Sequence, residues 1–405
     1  MLLSHEDLRV PDSVDDSDGC DISSLLEMLG RVTDRRSRRG RVYGLIFVLA
    51  ASLVAVLGGA SNFRQIADQV ADFPQPLLRK LGARWCYFRG RFRRPSEKTI
   101  RLTLTNIDAD QLDTVVGEWL RNRAKPETEA TMAVAIDGKV LRGAWTDNHE
   151  KFTLFSAMIH RIGVTIAQAQ VPADTNEITQ VQALVDTLPV RAGERVVVTM
   201  DAAHTQRDTA EYLVAERGFT YIMTTKGNQP TLLKSVFTAC LPLVTTEPHH
   251  TVEERGHGRV NRWSAWITDA TGIDFPHVRT AGCIRRETFN LAGERTSKEY
   301  AWIISGSPAS ECEVTHAEHL HKFVREHWGI ENKSHYVRDT TWHEDAHQAY
   351  SGSGPQTMAT LRNIAAGLIR LNGTDAIKRT TEWLGRNPIR ALAIIATQRN
   401  DDHLT

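Results

Sequence analysis

Ala133–Val134–Ala135–Ile136–Asp137, followed by Gly138–Lys139, is a short apolar run that stops on an acid. Val196–Val197–Val198–Thr199–Met200–Asp201 repeats the pattern ahead of Ala202. Runs this short, closed by polar residues, read as buried strands. Between them, Phe152–Ile159 and Val164–Val171 form a predicted pair of strands turning at Arg161–Ile162–Gly163, and Glu177–Leu188 has helical spacing. Beyond them, Asp208–Arg217 is helical and ends at Gly218, a C-cap residue. Tyr221–Thr225 is a further strand that closes on Lys226–Gly227–Asn228–Gln229–Pro230, a turn. Strand, hairpin, helix, strand, helix, strand predicts an α/β fold: a mixed sheet with helices on its faces.

The bulk of the chain sets outer limits. Its 405 residues suffice for two or three domains and a large core. Lys+Arg and Asp+Glu are both 49, yet the charges are segregated. Residues 1–19 carry six acids and one arginine, residues 31–41 six arginines and one aspartate, and residues 79–101 nine Lys/Arg and one glutamate. Blocks of this kind are solvated faces or patches that meet phosphate. Five widely spaced cysteines (Cys20, Cys86, Cys240, Cys283, Cys312) without a C-x-x-C pair argue against a disulfide framework or a zinc site, and fit a reduced cytoplasm. The acidic start is not a signal peptide. The 22 uncharged residues between Arg41 and Arg64 imitate a membrane span. Gly44, Gly58, Gly59, Ser52, Ser61 and Asn62 within them favour a buried core helix.

Composition divides the chain into five stretches: an acidic, disordered leader at 1–20; an all-α N-terminal domain at 21–122; an α/β block at 123–239, opened by a polar linker; a β-rich insertion at 240–310; and a helical part at 311–405. Residues 75–95 read as a basic, aromatic loop, after which Pro95–Ser96 caps a helix that pauses near Asn106 and resumes through Leu112–Leu120. Several short helices with a basic face suit a DNA-binding module. Val260–Ile267 and Tyr300–Ser305 read as strands of the insertion, and Met358–Leu371 as an amphipathic helix after the Ser351–Pro355 loop.

Carboxylates on neighbouring strand ends, completed by an acid from a facing helix, supply the oxygen ligands that Mg²⁺ prefers. His327–Trp328–Gly329–Ile330–Glu331–Asn332, on a downstream helix, offers such an acid. Glu344–Asp345 is a rival pair.

Five stretches together resemble a known family: Ala135–Lys139; Asp201–Ala202–Ala203–His204–Thr205–Gln206; Thr225–Pro230; His327–Lys333; and Met358–Ala359–Thr360–Leu361–Arg362–Asn363. The chain resembles, over roughly residues 22 to 395, the ISAs1 (H-repeat-associated) family of the IS4-like DDE transposases. The resemblance implies an RNase H-like core formed by 123–239 and 311–405. It implies that Asp137, Asp201 and Glu331 hold two Mg²⁺ ions, with Mn²⁺ able to substitute, Asp137 bridging them. It also implies cleavage at transposon ends, attack of the freed 3′-OH on target DNA, and partners comprising terminal inverted repeats, target DNA and a second copy in the synaptic complex. The broader group's Tyr-x₂-Arg-x₃-Glu-x₆-Lys pattern falls here on Val324, His327, Glu331 and Arg338, so only the glutamate matches in full.

Lys139, Arg142, Lys226, His327, Lys333 and Arg338 are candidate phosphate contacts, with ordinary surface charge as the other reading. His204 reads as a structural histidine or a proton shuttle, and Trp328 as packing for the Glu331 helix. In the insertion, His257, Arg259, Arg262, Trp263 and Trp266 offer stacking and backbone contacts, or core aromatics. Arg91, Arg93 and Arg94, interleaved with Trp85, Tyr87, Phe88 and Phe92, are the best candidates for DNA grip outside the core. Two other functions stay open: a decayed copy that binds DNA without cutting, and a protein anchored in a membrane through 42–63.

Overall fold

The computed structural model describes residues 20–39, 41–124, 131–145, 150–172, 175, 177–256, 258–308, 314, 316–347 and 352–397. The acidic leader up to residue 19, most of the polar linker, His257, Cys312 and Ser351 lie outside the described residues.

The N-terminal part is helical: α1 (Ser23–Gly30), α2 (Leu45–Leu57), α3 (Phe63–Asp72), α4 (Gln75–Lys80), then a hairpin of β1 (Trp85–Cys86) and β2 (Arg91–Phe92), then α5 (Glu97–Thr105) and α6 (Ala109–Arg123). Ser96 caps α5 by accepting from Thr99 N at 3.3 Å, and Asp108 caps α6 by accepting from Gln111 N at 3.0 Å. The loop expected at 75–95 is instead a short helix and an ordered hairpin. The membrane-like run forms only the 13-residue α2, buried at twelve positions. Among the described residues no helix is long and apolar enough to cross a membrane. The arginine run at 31–41 is largely spent on structure: Arg31 pairs with Glu118, Arg35 with Asp108, and Arg36 with Asp34 and Thr103.

The sheet begins with β3 (Thr131–Trp145), β4 (Lys151–Ile159) and β5 (Val164–Val171), continues through α7 (Glu177–Asp186) to β6 (Arg195–Met200), and through α8 (Arg207–Glu211) to β7 (Thr220–Thr225) and α9 (Pro230–Cys240). β5, β4 and β3 are antiparallel, whereas β3, β6 and β7 run parallel. This five-strand order, β5-β4-β3-β6-β7, is an RNase H-like mixed sheet. The β-rich stretch is β8 (His250–Gly256), β9 (Arg259–Asp269), β10 (Val278–Asn290) and β11 (Arg295–Gly306). These strands extend the same sheet: β11 pairs antiparallel with β7, giving nine strands in all.

The chain closes with α10 (Ala317–His327), a wide π-helical turn at Ile330–His335, α11 (Tyr336–Trp342), α12 (Gly354–Leu371), α13 (Ile377–Gly385) and α14 (Arg390–Ala396). The helix expected to be amphipathic, α12, is buried along all 18 residues. It packs on α2, α6 and β5, so apolar residues from the N-terminal helices, the sheet and the C-terminal helices form one continuous core. Several of its polar side chains are matched inside: Gln356 and Thr360 donate to Asp113, and Asn363 donates to Gln168 at 2.9 Å.

α6 lies directly on β5 because Gly117 has no side chain. A Cβ there would stand 2.0 Å from the Ile166 carbonyl oxygen, which is backbone and cannot turn aside. Gly117→Ala is therefore expected to cost roughly 1–3 kcal/mol or more, readable as a lowered urea midpoint at unchanged slope. A midpoint equal to wild type would show that α6 can lift from β5 freely.

Candidate active site

Parallel β3 and β6 run in register from Thr131↔Arg195 to Ile136↔Met200. The next residues are Asp137 and Asp201, so the two acids stand side by side where β6 ends. Asp201 does end its strand: its Oδ1 accepts from Ala203 N at 3.0 Å and His204 N at 3.3 Å, fixing the loop that follows. Asp137, which the sequence pattern places at a strand end, does not end one. It lies inside the 15-residue β3, which continues as a hairpin with β4 and pairs Asp137 with Ser156.

Further groups crowd Asp137. Gly138 is bare because the Glu177 carboxylate covers it: a Cβ there would fall 1.9 Å from Glu177 Oε1. His204 Nε2 lies 3.4 Å from Glu177 Oε2 and 3.9 Å from Asp201 Oδ1. His335 Nδ1 lies 3.8 Å from Asp137 Oδ2. Burial, with the Asp201 and Glu177 charges adding to it, pushes the Asp137 carboxyl up to about 7 against the opposing Gly138 N–H. Burial, then the Arg338 and Lys139 charges, push His335 down to about 3, so it faces Asp137 as a neutral ring.

Glu331 is exposed on the π-helical turn, a form that often marks a functional position. Ile330 anchors it by packing on Ala135 and Met158 of the sheet. A second tie comes four residues earlier. His327 Nδ1 and Thr199 Oγ1 are 2.9 Å apart, and the same hydroxyl is 2.8 Å from His160 Nε2. Burial and the nearby His160 lower His327 to about 4. His327, expected at a phosphate, is thus a neutral ring that also lines the cleft and fastens the Glu331 segment to β6 two residues before Asp201.

Asp137, Asp201 and Glu331 line one cleft of about 670 Å³ together with Lys226, Trp263, Arg286 and Trp328. The Arg286 guanidinium sits over Trp263 at 5.0 Å and Trp328 at 5.9 Å. The donor set is all oxygen, the chemistry of a hard divalent cation. Among the described residues no three His, Cys, Asp or Glu side chains close around a single point. Mg²⁺ commonly takes one or two carboxylates and fills the rest of its shell with water and substrate phosphate, so the Asp137–Asp201 pair fits it, with Glu331 lining the same cleft.

The other candidates separate. Lys226 and Trp263 line the cleft. Lys139 is buried, with Nζ 2.6 Å from Asp339 Oδ1, 3.4 Å from Glu344 and 3.5 Å from Asp345. Arg338 is buried too, its Nε 3.0 Å from Glu344 Oε2 and its Nη1 donating to Gln168 and Asn363. Neither faces the cleft, because Glu344 needs their charge inside. Glu344 is accordingly placed as a counter-charge and not as a rival metal ligand: it is buried and ion-paired with Arg338 and Arg362. Lys333 donates to Arg161 O at 3.0 Å, beside the β4–β5 turn. Arg142 is exposed and 3.5 Å from Asp345, five residues past Asp137 on β3. Arg259 is exposed at the start of β9, Arg91 and Arg93 are exposed on the hairpin, and Arg94 is tied down, donating to Phe73 O at 2.7 Å. Glu177, His335 and Arg286 were not anticipated. Glu177 opens a helix far from either acid in sequence, and no local pattern announces its return to Gly138.

Two family models match the chain. Residues 130–368 match the transposase DDE domain, and residues 26–120 match the DDE_Tnp_1-associated domain. The chain belongs to the DDE transposases. More particularly, it is of the IS4-like, H-repeat-associated type. It is 26% identical to YncI of Escherichia coli O157:H7 over 366 residues, covering 86% of this chain and 88% of that one. It is 24% identical to YhhI of Escherichia coli K12 over 360 residues, covering 86% and 91%. Both relatives carry transposase names, and the name of YhhI includes the H repeat. The cryo-EM structure of a piggyBac transposase synaptic complex with hairpin DNA aligns over 96% of this chain and 84% of that one, at 12% identity and a TM-score of 0.40.

Proposed function

We propose that this transposase cuts DNA at transposon ends and joins the freed ends to target DNA, using divalent metal ions held by Asp137, Asp201 and Glu331. The observation that carries the reading is the register of β3 and β6, which sets two carboxylates side by side in a cleft that Glu331 also lines. In cleavage, water attacks the phosphorus and the P–O3′ bond breaks, leaving a 3′-OH. In joining, that 3′ oxygen attacks a target phosphorus and displaces the target's own 3′ oxygen. Bound Mg²⁺ supplies charge for the attacking and leaving oxygens of such displacements. The chain's own part is to hold and orient. Glu177 and His204 hold the Asp201 side of the cleft, and the neutral His327 and Ile330 hold Glu331. Lys226 and Arg286 reach a phosphate lying in the cleft. Trp328, half exposed, offers a face on which a base stacks, beside the Trp263 ring that Arg286 covers. Arg259, Arg91 and Arg93 are exposed enough to contact duplex outside the cleft. Two ends brought together require two copies on the DNA.

The test is nicking of a duplex that carries the inverted repeats flanking the reading frame. Cleavage is expected with Mg²⁺ or Mn²⁺ and none after EDTA, restored by adding Mg²⁺ back. Binding of that duplex without cleavage in either metal would instead mark a decayed copy.

A further inference from the structure

We infer that the β1–β2 hairpin is a wedge for double-stranded DNA, whose tip, Tyr87 and Phe88, inserts between stacked bases while the arginines around it hold the two backbones. This rests on the DNA reading above and adds a mode of contact outside the cleft.

Tyr87 is 88% exposed and Phe88 100%, although both are large and apolar. Adjacent aromatics fully in water mark a contact surface more often than chance. The hairpin beneath them is rigid. Trp85 and Phe92 meet edge to face at 4.9 Å. Arg93 N donates to Arg84 O at 2.9 Å, Arg94 donates to Phe73 O at 2.7 Å, and Tyr43 Oη donates to Arg94 O at 2.6 Å. Gly90, at φ 57°, lets the chain reverse at once, so the aromatic pair projects beyond the body. A rigid, projecting aromatic tip is the form that enters a base step; a tip meant for the protein's own core would be buried.

Charge chooses the occupant. Residues 84–94 hold five arginines and no acid, and Arg84, Arg89, Arg91 and Arg93 are exposed. Two such hairpins repel each other, which disfavours a second copy as the partner. Duplex DNA answers both features: phosphates for the guanidinium groups and a stack that an apolar wedge can open.

The experiment compares wild type with Tyr87→Ser/Phe88→Ser and with Arg91→Ala/Arg93→Ala, all as full chains. The probe is a mixed-sequence duplex rich in TA steps, with 2-aminopurine beside them. Wild type should raise the 2-aminopurine fluorescence as it unstacks the base. The aromatic variant should lose that rise and bind about tenfold more weakly, with the salt slope kept. The arginine variant should flatten the slope of log K against log salt by about 2. Both should melt like wild type, since the altered side chains are exposed. An aromatic variant that still unstacks the probe overturns the wedge. So does one that changes the protein's mass in light scattering without DNA, which would make the tip an interface between copies. If wild type binds duplex and cuts ends but never unstacks the probe, the wedge alone falls. If it neither binds nor cuts, the proposed function falls with it.

Discussion

Asp137→Asn is expected to cut Mg²⁺-dependent nicking by about 10³-fold or more, since each 1.36 kcal/mol of lost transition-state stabilisation is tenfold and a metal site supplies several. The same change should stabilise the metal-free protein. Asp137 is held in a partly buried place beside Asp201 and Glu177, so its carboxyl sits near 7 instead of 3.8. Between those two values the folded chain binds more protons at this group than the unfolded chain does. Stability then falls as pH rises from about 4 to about 7, and the loss is complete above that. In EDTA, urea unfolding of wild type should show this decline, and Asp137→Asn should lack it, because asparagine carries no charge to desolvate or repel. Added Mg²⁺ should raise the wild-type midpoint near pH 7 and leave the variant unmoved. Wild-type nicking by Asp137→Asn would remove the acid from the site. A decline with pH that persisted in the variant would place its cause elsewhere.

The parts of this site that the sequence shows are those set by local burial. Val196–Met200 is apolar except for the buried Thr199 because β6 is a central strand, so its end at Asp201 is visible. Ala133–Ile136 is apolar for the same reason where β3 pairs with β6. Past Ile136 the parallel partner stops, β3 goes on beside β4 alone, and the change of pattern imitates a strand end. A hydrophobic run reports how long a strand is covered, not how long it is. The hairpin at Trp85–Phe92 escapes for a related reason: two-residue strands are too short to show alternation. In α12, Gln356, Thr360, Arg362 and Asn363 look like a wet stripe. They are buried because Asp113, Glu344 and Gln168 meet them, partners that come from distant segments. Lys139 reads as a phosphate contact from its charge beside Asp137, and Arg338 from the lysine place of the family pattern, but the acid that takes them up, Glu344, is a long-range contact for Lys139. Charge is legible in a sequence; the neutralising partner is a property of the fold.

That buried cluster carries the largest stability effect expected of a single change. Glu344 is fully enclosed, with Arg338 Nε at 3.0 Å, Arg362 at 2.9 Å and Lys139 Nζ at 3.4 Å. Burial alone would raise its carboxyl, yet Arg338, Arg362 and Lys139 overrule it and bring it down to about 2. Glu344→Ala leaves Arg338 and Arg362 buried without their carboxylate, while Lys139 keeps Asp339 and Asp345, a loss of about 3–5 kcal/mol for a broken buried pair. Because the folded value lies below the ordinary 4.5, Glu344 stabilises fully above that pH and its contribution drains away as pH falls towards 2. Wild type should therefore lose stability through that acid window, and Glu344→Ala should lose less of it, having little left to give. The cluster also bears on the cleft. Lys139 follows Asp137 by two residues on β3, and Arg338 belongs to α11, directly after the turn that holds Glu331. A folded Glu344→Ala protein, assayed well below its melting temperature, should nick more slowly at every Mg²⁺ concentration, because the acids are misplaced rather than a ligand removed. A variant as stable as wild type that needed more Mg²⁺ for half-maximal nicking would make Glu344 a metal ligand after all, and would overturn its assignment as the counter-charge of a structural core.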